Sequence, residues 1–270
     1  MRTGVSTAAL FLRYNNEDAL PLLDRLGVKT AEVFLTSYSE YGKEFAELLC
    51  ARKGGVNVHS VHVLNVQFEP QLFSRHERVK ADAFEMLDRA MTGAEMLGAG
   101  QYTFHGLARM KKAARSGKND DFMGWGNRLA EISSACEKHG VRLCLENVEW
   151  ATYNRPSVFS ELKQYCPNLG GVLDVKQAHI SGYPYGAYIE EMGERLTHVH
   201  LTDRTELGKP CLPGKGTFDF SELLKRLADV GFSGPLILEP YTDGYGEAEE
   251  LKEACDYLDE LLYKMNLNEK

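Results

Sequence analysis

The chain is predicted to fold as a single (β/α)8 barrel spanning residues 1–270. Three observations carry that expectation. Apolar strand-like runs alternate with amphipathic stretches from one end of the chain to the other, the pattern of a parallel sheet with helical crossovers. Eight such pairs fit into 270 residues, near the roughly 250 usual for a closed barrel. Four of the runs, LCLENV, GGVLDV, HVHLTD and LILEP, place a metal-ligating residue at or near the tip: Glu146, Asp174, His200 and Glu239. A charge on a buried strand costs several kcal/mol unless it is paired, hydrogen-bonded or metal-bound. Tips scattered between residues 146 and 239 can meet only if their strands lie side by side and point the same way.

The strands expected, in order, are 2–7 (RTGVST), 30–36 (TAEVFLT), 56–64 (VNVHSVHVL), 101–105 (QYTFH), 141–147 (VRLCLEN), 171–175 (GVLDV), 196–202 (LTHVHLT) and 235–239 (PLILE). Helical patterns follow them at 16–26, 40–53, 71–97, 120–139, 157–165, 185–192, 218–230 and 247–264. A glycine stands where several of these helices should stop, as in Leu26-Gly27, Lys53-Gly54, Leu97-Gly98, His139-Gly140 and Val230-Gly231. No GxGxxG follows the first strand, which favours closure over an open nucleotide-binding sheet. The longest irregular segments, 106–119 and 204–217, both follow strand ends and are expected to cover the barrel mouth. The Gly214-Lys215-Gly216-Thr217 run in the second has the wrong spacing for a phosphate loop.

Hydrophobic residues make up 43% of the chain and charged residues 26%, ample for a core and ordinary for a soluble domain. The net charge of −8 and the pI near 5.6 argue against nucleic acid as a partner. Six cysteines without a CxxC pair, and a start (MRTGVSTAAL) too short and too soon structured for a signal peptide, lead us to expect reduced thiols in the cytoplasm. No apolar run reaches the ~18 residues needed to span a bilayer, so no membrane association is expected.

Alternation along a strand puts Cys144 with Glu146, Val172 with Asp174, His198 with His200 and Ile237 with Glu239 on shared faces. Three carboxylates and an imidazole, Glu146, Asp174, Glu239 and His200, suit a divalent ion, Mn²⁺ most naturally, with Co²⁺, Mg²⁺ or Zn²⁺ also compatible. Two open positions on such an ion can chelate the carbonyl oxygen and adjacent hydroxyl of a sugar. A second cluster joins His62, with His59 nearby, to His105; these either hold a second ion bridged by Glu146 or bind substrate hydroxyls. His198, one layer below His200, is expected to orient a ligand. Glu32 faces inward and either accepts a sugar hydroxyl or forms a structural ion pair.

The segments ENVEW, VLDVKQAH, HVHLTDR and LILEPY, with PGKGTFDF, resemble the xylose-isomerase-like superfamily of TIM barrels over nearly the whole chain. That group includes sugar-phosphate isomerases and epimerases, ketose 3-epimerases, inosose dehydratases and the endonuclease IV group. The resemblance implies that Glu146, Asp174, His200 and Glu239 hold the catalytic ion. It further implies that Glu146 and Glu239 form the acid and base pair of an isomerase or epimerase working through a metal-stabilised enediolate. The implied partner is a small carbohydrate, and assembly of identical chains follows by analogy. Alternatives are a keto-polyol dehydratase, a phosphodiester hydrolase of the endonuclease IV kind, and a non-catalytic sugar-binding protein.

Two departures from the family pattern matter. Gln177 stands where many relatives have a histidine three residues after the strand-six aspartate, and His179 comes five after it; both are candidate substrate residues. Lys209-Pro210-Cys211-Leu212-Pro213 replaces the Asp-x-His pair of the endonucleases, which breaks a three-metal site and leaves positions for one or two ions. Arg204, with Lys209 and Lys215, either binds a substrate phosphate or is solvated surface charge.

Overall fold

A computed structural model describes residues 1–108 and 121–268, and in it eight parallel strands close on one another. They are β1 (Arg2–Ser6), β2 (Thr30–Leu35), β3 (Asn57–Val63), β4 (Gln101–Phe104), β5 (Arg142–Glu146), β6 (Gly170–Asp174), β7 (Leu196–Leu201) and β10 (Pro235–Leu238). The order around the barrel is β1-β10-β7-β6-β5-β4-β3-β2, so the expected (β/α)8 closure is what forms. Residues β8 (Asp203–Arg204) and β9 (Pro210–Cys211) make a small antiparallel ribbon beyond β7.

The helices are α1 (Asn16–Arg25), α2 (Lys43–Arg52), α3 (Glu77–Leu97), α4 (Phe122–Glu137), α5 (Ser157–Lys163), α6 (Val175–Ser181), α7 (Tyr185–Met192), α8 (Phe220–Asp229) and α9 (Glu249–Lys264). Each turns apolar residues to the barrel wall, as Leu223, Leu224 and Leu227 do on α8. Gly98 closes α3 with φ of +75°, a left-handed turn that glycine adopts without a Cβ clash. Gly4 serves closure itself: a Cβ there would stand 2.7 Å from the Thr30 carbonyl and 2.8 Å from Ile237 Cδ1.

Two expectations about elements change. The run 71–97 divides into a 3-10 turn at Glu69–Phe73 and α3, with Pro70 at the start of the turn. The strand expected over 171–175 ends at Asp174, because the Asp174 carboxylate accepts a hydrogen bond from Gln177 N (2.7 Å) and starts α6 at Val175. Residues 109–119 of the first long loop lie outside the described residues. In the second, 204–217, Asp203 accepts from the amides of Arg204, Gly214, Gly216 and Phe218 at 2.7–3.1 Å and Lys215 pairs with Glu253 of α9 at 3.7 Å, and none of its residues lines the cavity at the barrel mouth.

At the outer layer, His139 ties the end of α4 to α3, with Nε2 3.0 Å from Asp88 and Nδ1 3.1 Å from Glu95. Burial lowers its pKa, but the two carboxylates outweigh this and hold it above the usual value. A raised histidine pKa stabilises fully below the unfolded value of about 6.5 and loses that stabilisation as pH rises through the folded pKa. His139→Ala is therefore expected to cost a few tenths to about 1 kcal/mol at pH 5.5 and less at pH 9. Urea unfolding of both proteins at the two pH values measures it, and an equal cost at both would dismiss the ion pairs.

Candidate functional site

The barrel interior between β1, β2, β3, β4 and β7 is polar. Glu32, fully buried, accepts from Ser6 Oγ (3.2 Å), Ser60 Oγ (2.8 Å) and Thr103 Oγ1 (2.6 Å) and faces His198 Nε2 (3.3 Å) and His200 Nε2 (3.2 Å). Burial works to raise its pKa, but His200, His198 and His62 together hold the carboxyl well below the usual range. Both oxygens are taken, so Glu32 sits under the site and holds the two imidazoles; of the two roles expected for it, contact with a sugar hydroxyl is the one this packing opposes. His198 is likewise in the floor, with His59 packed on it at 5.1 Å between ring centroids.

Above this floor the strand tips converge. Ligand atoms of Glu146, Asp174, His200 and Glu239 all lie within 4.8 Å of one another. The register brings Asp174 opposite His200 and Glu146 opposite Val172, and the Glu239 amide extends the ladder to Leu201 O at 3.0 Å. His200 Nδ1 is 3.1 Å from Glu146 Oε1 and 3.0 Å from Glu239 Oε2. The Asn147 side chain ties the two strand ends together, accepting from Asp174 N (2.8 Å) and donating to Asp174 O (3.0 Å).

The charges explain why such a cluster wants a cation. Burial, then repulsion from Glu146 and Glu239, pushes the Asp174 carboxyl up to about 6 against the pull of Lys176 and His200. Burial opposes the charge on His200, yet Glu239, Glu32 and Glu146 raise its pKa well above the usual value. Glu146 and Glu239 stay below the usual carboxylate range, because His200 above all overcomes their burial. Glu146 Oε2 is buried without a well-aligned hydrogen bond, although His105 Nε2 stands 3.1 Å from it. An excess of acceptors around one point, one of them without a well-aligned donor, fits a divalent ion bound by oxygen and nitrogen.

His62, His105 and Glu146 form a second group of close ligand atoms, with the imidazole centroids of His62 and His105 4.5 Å apart. His62 Nδ1 lies 2.9 Å from Thr103 O. Sequence reasoning missed Glu69, which is fully buried and receives the amides of His105 and Gly106 (each 3.1 Å), Asn65 Nδ2 (2.8 Å) and Tyr102 OH (2.8 Å). It fixes the loop carrying His105, with His105 Nδ1 3.9 Å away. Nothing in the local pattern of FEPQ marks that role, since all of its partners but Asn65 lie on β4 or just beyond it.

Glu146, Asp174 and Glu239 floor a cavity of about 310 Å³ at the mouth, walled by Phe11, Phe34, Leu64, Val148, Trp150 and Tyr241 and carrying His62, His105, Lys176 and Gln177 as further polar groups. That is enough for a small ligand. Gln177 lines it and accepts from Glu149 N at 3.1 Å. His179 is exposed on α6 and Arg204 stacks on Phe218 at 5.7 Å; neither is among the lining residues. Lys176, which the sequence did not single out, enters the cavity 3.9 Å from Asp174 Oδ2. Among the described residues no helix is long and apolar enough to cross a membrane.

The chain is similar to a fructoselysine 3-epimerase of Escherichia coli O157:H7, 25% identical over 176 residues that cover 62% of each protein. It is 30% identical over 141 residues, 47% of this chain and 22% of the relative, to a 3-dehydroshikimate dehydratase of Pseudomonas putida. The crystal structure of a D-tagatose 3-epimerase-like protein superposes with a TM-score of 0.79 at 20% identity, covering 98% of both chains. These relatives bear the names of sugar epimerases and of a dehydratase. The family profile described as xylose isomerase-like TIM barrel matches residues 20–261, and the chain belongs to that family.

Proposed function

We propose that this chain is a divalent-metal-dependent epimerase or isomerase of a small sugar or sugar phosphate, with Glu146, Asp174, His200 and Glu239 as ligands. The observation that carries the reading is the meeting of these four groups, three of which, Glu146, Asp174 and Glu239, line a cavity sized for a small polyol. Mn²⁺ suits the donor set best, and Co²⁺, Mg²⁺ or Zn²⁺ fit the same donors. When bound, the ion supplies Lewis acidity at a substrate carbonyl and so acidifies the neighbouring C–H.

The rest falls to the chain. Glu146 and Glu239 both line the cavity and reach it from β5 and the end of β10, three strands apart around the barrel. Their depressed pKa values keep both ionised at neutral pH, so either can remove the proton next to the carbonyl, while the proton returned on the opposite face is one that the second carboxylate has first taken up from solvent. His105 contacts Glu146 and, with His62, offers ring nitrogens for substrate hydroxyls. Phe11, Phe34 and Trp150 keep water from the reacting face.

The test is a panel of ketoses, aldoses and keto-inositols in D₂O with Mn²⁺-loaded protein. Uptake of one deuterium next to a carbonyl without loss of mass, abolished by chelation, is expected; no exchange with any member would overturn the reading. The likeness to the dehydratase favours elimination as the second reading, in which the product lacks one water. Phosphodiester hydrolysis is opposed by the net charge of −8 and by the Lys209 to Pro213 departure.

A further inference from the structure

Among the described residues lining the mouth cavity, Lys176 is the one with a permanent positive charge, and proton transfer between Glu146 and Glu239 makes no use of it. The side chain is only 10% exposed, and its ammonium makes no hydrogen bond within the described residues. The Asp174 carboxylate, 3.9 Å away, is beyond hydrogen-bond reach, and the other near group is the Tyr241 ring, 4.0 Å from Nζ. Lys176 also falls in the first turn of α6, where a cation opposes the helix dipole. An ion pair too long for a hydrogen bond and a ring face are what hold it, and a residue that goes against the local helix rule is the kind found at functional sites.

An ion held by Asp174, with Glu146 and Glu239, would leave the ammonium with less of the carboxylates that now face it and with donors free toward the cavity. A largely enclosed ammonium gains from an acceptor, and the apolar wall of Phe11, Phe34 and Trp150 offers none. Resting on the metal-dependent reading above, we infer that Lys176 is the substrate-contacting cation of this site and donates to a negatively charged oxygen of the substrate. That charge has two sources. It is either a permanent acid group, such as a carboxylate on the sugar, or the charge that builds on the carbonyl oxygen as the neighbouring proton leaves.

The probes are L-sorbose and 5-keto-D-gluconate, which differ by a terminal hydroxymethyl group in one and a carboxylate in the other. Binding to Mn²⁺-loaded wild type, Lys176→Met and Lys176→Arg is measured by calorimetry, and deuterium exchange is followed beside it. If the substrate's own acid group is the partner, the wild type prefers the acid by roughly 10- to 100-fold. Lys176→Met then erases the preference and Lys176→Arg keeps part of it. If the developing charge is the partner, the two ketoses bind alike and Lys176→Met slows exchange by a similar factor at little change in KM.

A purely structural lysine gives a different pattern. Removing a cation beside the ion site should leave Mn²⁺ binding equal or tighter, since like charges repel. Weaker Mn²⁺ binding by Lys176→Met, with ketose preference and exchange unchanged, would overturn the inference. So would a wild type that binds neither ketose. Failure of the proton-transfer reading is separate: Mn²⁺-loaded wild type would then exchange no proton of any panel member while still binding the acid through Lys176.

Discussion

Glu146→Gln and Glu239→Gln, each loaded fully with Mn²⁺, are expected to exchange the substrate proton roughly 10² to 10⁴ times more slowly than the wild type. Glutamine keeps the shape and one oxygen ligand of each side chain and removes the base. The effect should be unequal in origin. Glu146 is almost fully buried and touches both His200 and His105, so its replacement also disturbs two imidazoles. Glu239 is 14% exposed at the side chain and meets His200 alone among these, so its variant reports more purely on proton transfer. Metal occupancy must be restored at high Mn²⁺ and verified by elemental analysis before rates are compared. A fully loaded variant that exchanges at the wild-type rate would reduce that glutamate to a ligand and end the two-base scheme.

Mn²⁺ at 100 times its Kd is expected to stabilise the wild type by about 2.7 kcal/mol, and Asp174→Asn to forfeit most of that gain. For a chain of this size each kcal/mol moves the melting temperature by about 2–4 °C, so a rise of several degrees should appear in the wild type. The metal-free proteins carry a second signal. Burial lifts the Asp174 carboxyl from its ordinary value to about 6. A carboxyl raised on folding stabilises below its unfolded pKa of about 4 and loses that contribution as pH climbs through its folded value. Without metal, the wild type should lose stability relative to Asp174→Asn between about pH 4 and pH 6. Thermal melts of both proteins across that range, with and without Mn²⁺, measure the two effects. Equal Mn²⁺-induced shifts in both would remove Asp174 from the ligand set.

Much of this arrangement is written in local pattern. Strand alternation has a period of two, so HVHLTD must place His198 and His200 on one face, and a carboxylate on a buried strand declares itself wherever it occurs. Helix stops are equally local, as Gly98 demonstrates. The four tip residues were therefore legible as one set, and a parallel barrel was the arrangement able to bring them together.

What the sequence by itself determined is which residues face inward and at which end of each strand they stand. The tertiary structure alone decided who faces whom across the closed barrel. Glu32 on β2 finds His198 and His200 on β7, and Glu69 in the turn after β3 anchors the backbone that carries His105. Because Asp174 starts a helix rather than prolonging a strand, Lys176 falls in the mouth while His179, farther round the same helix, faces solvent. The physical reason is one of range: backbone periodicity is set by each residue and its neighbours in sequence, whereas the field at a buried charge is set by groups that only chain closure brings within a few ångströms.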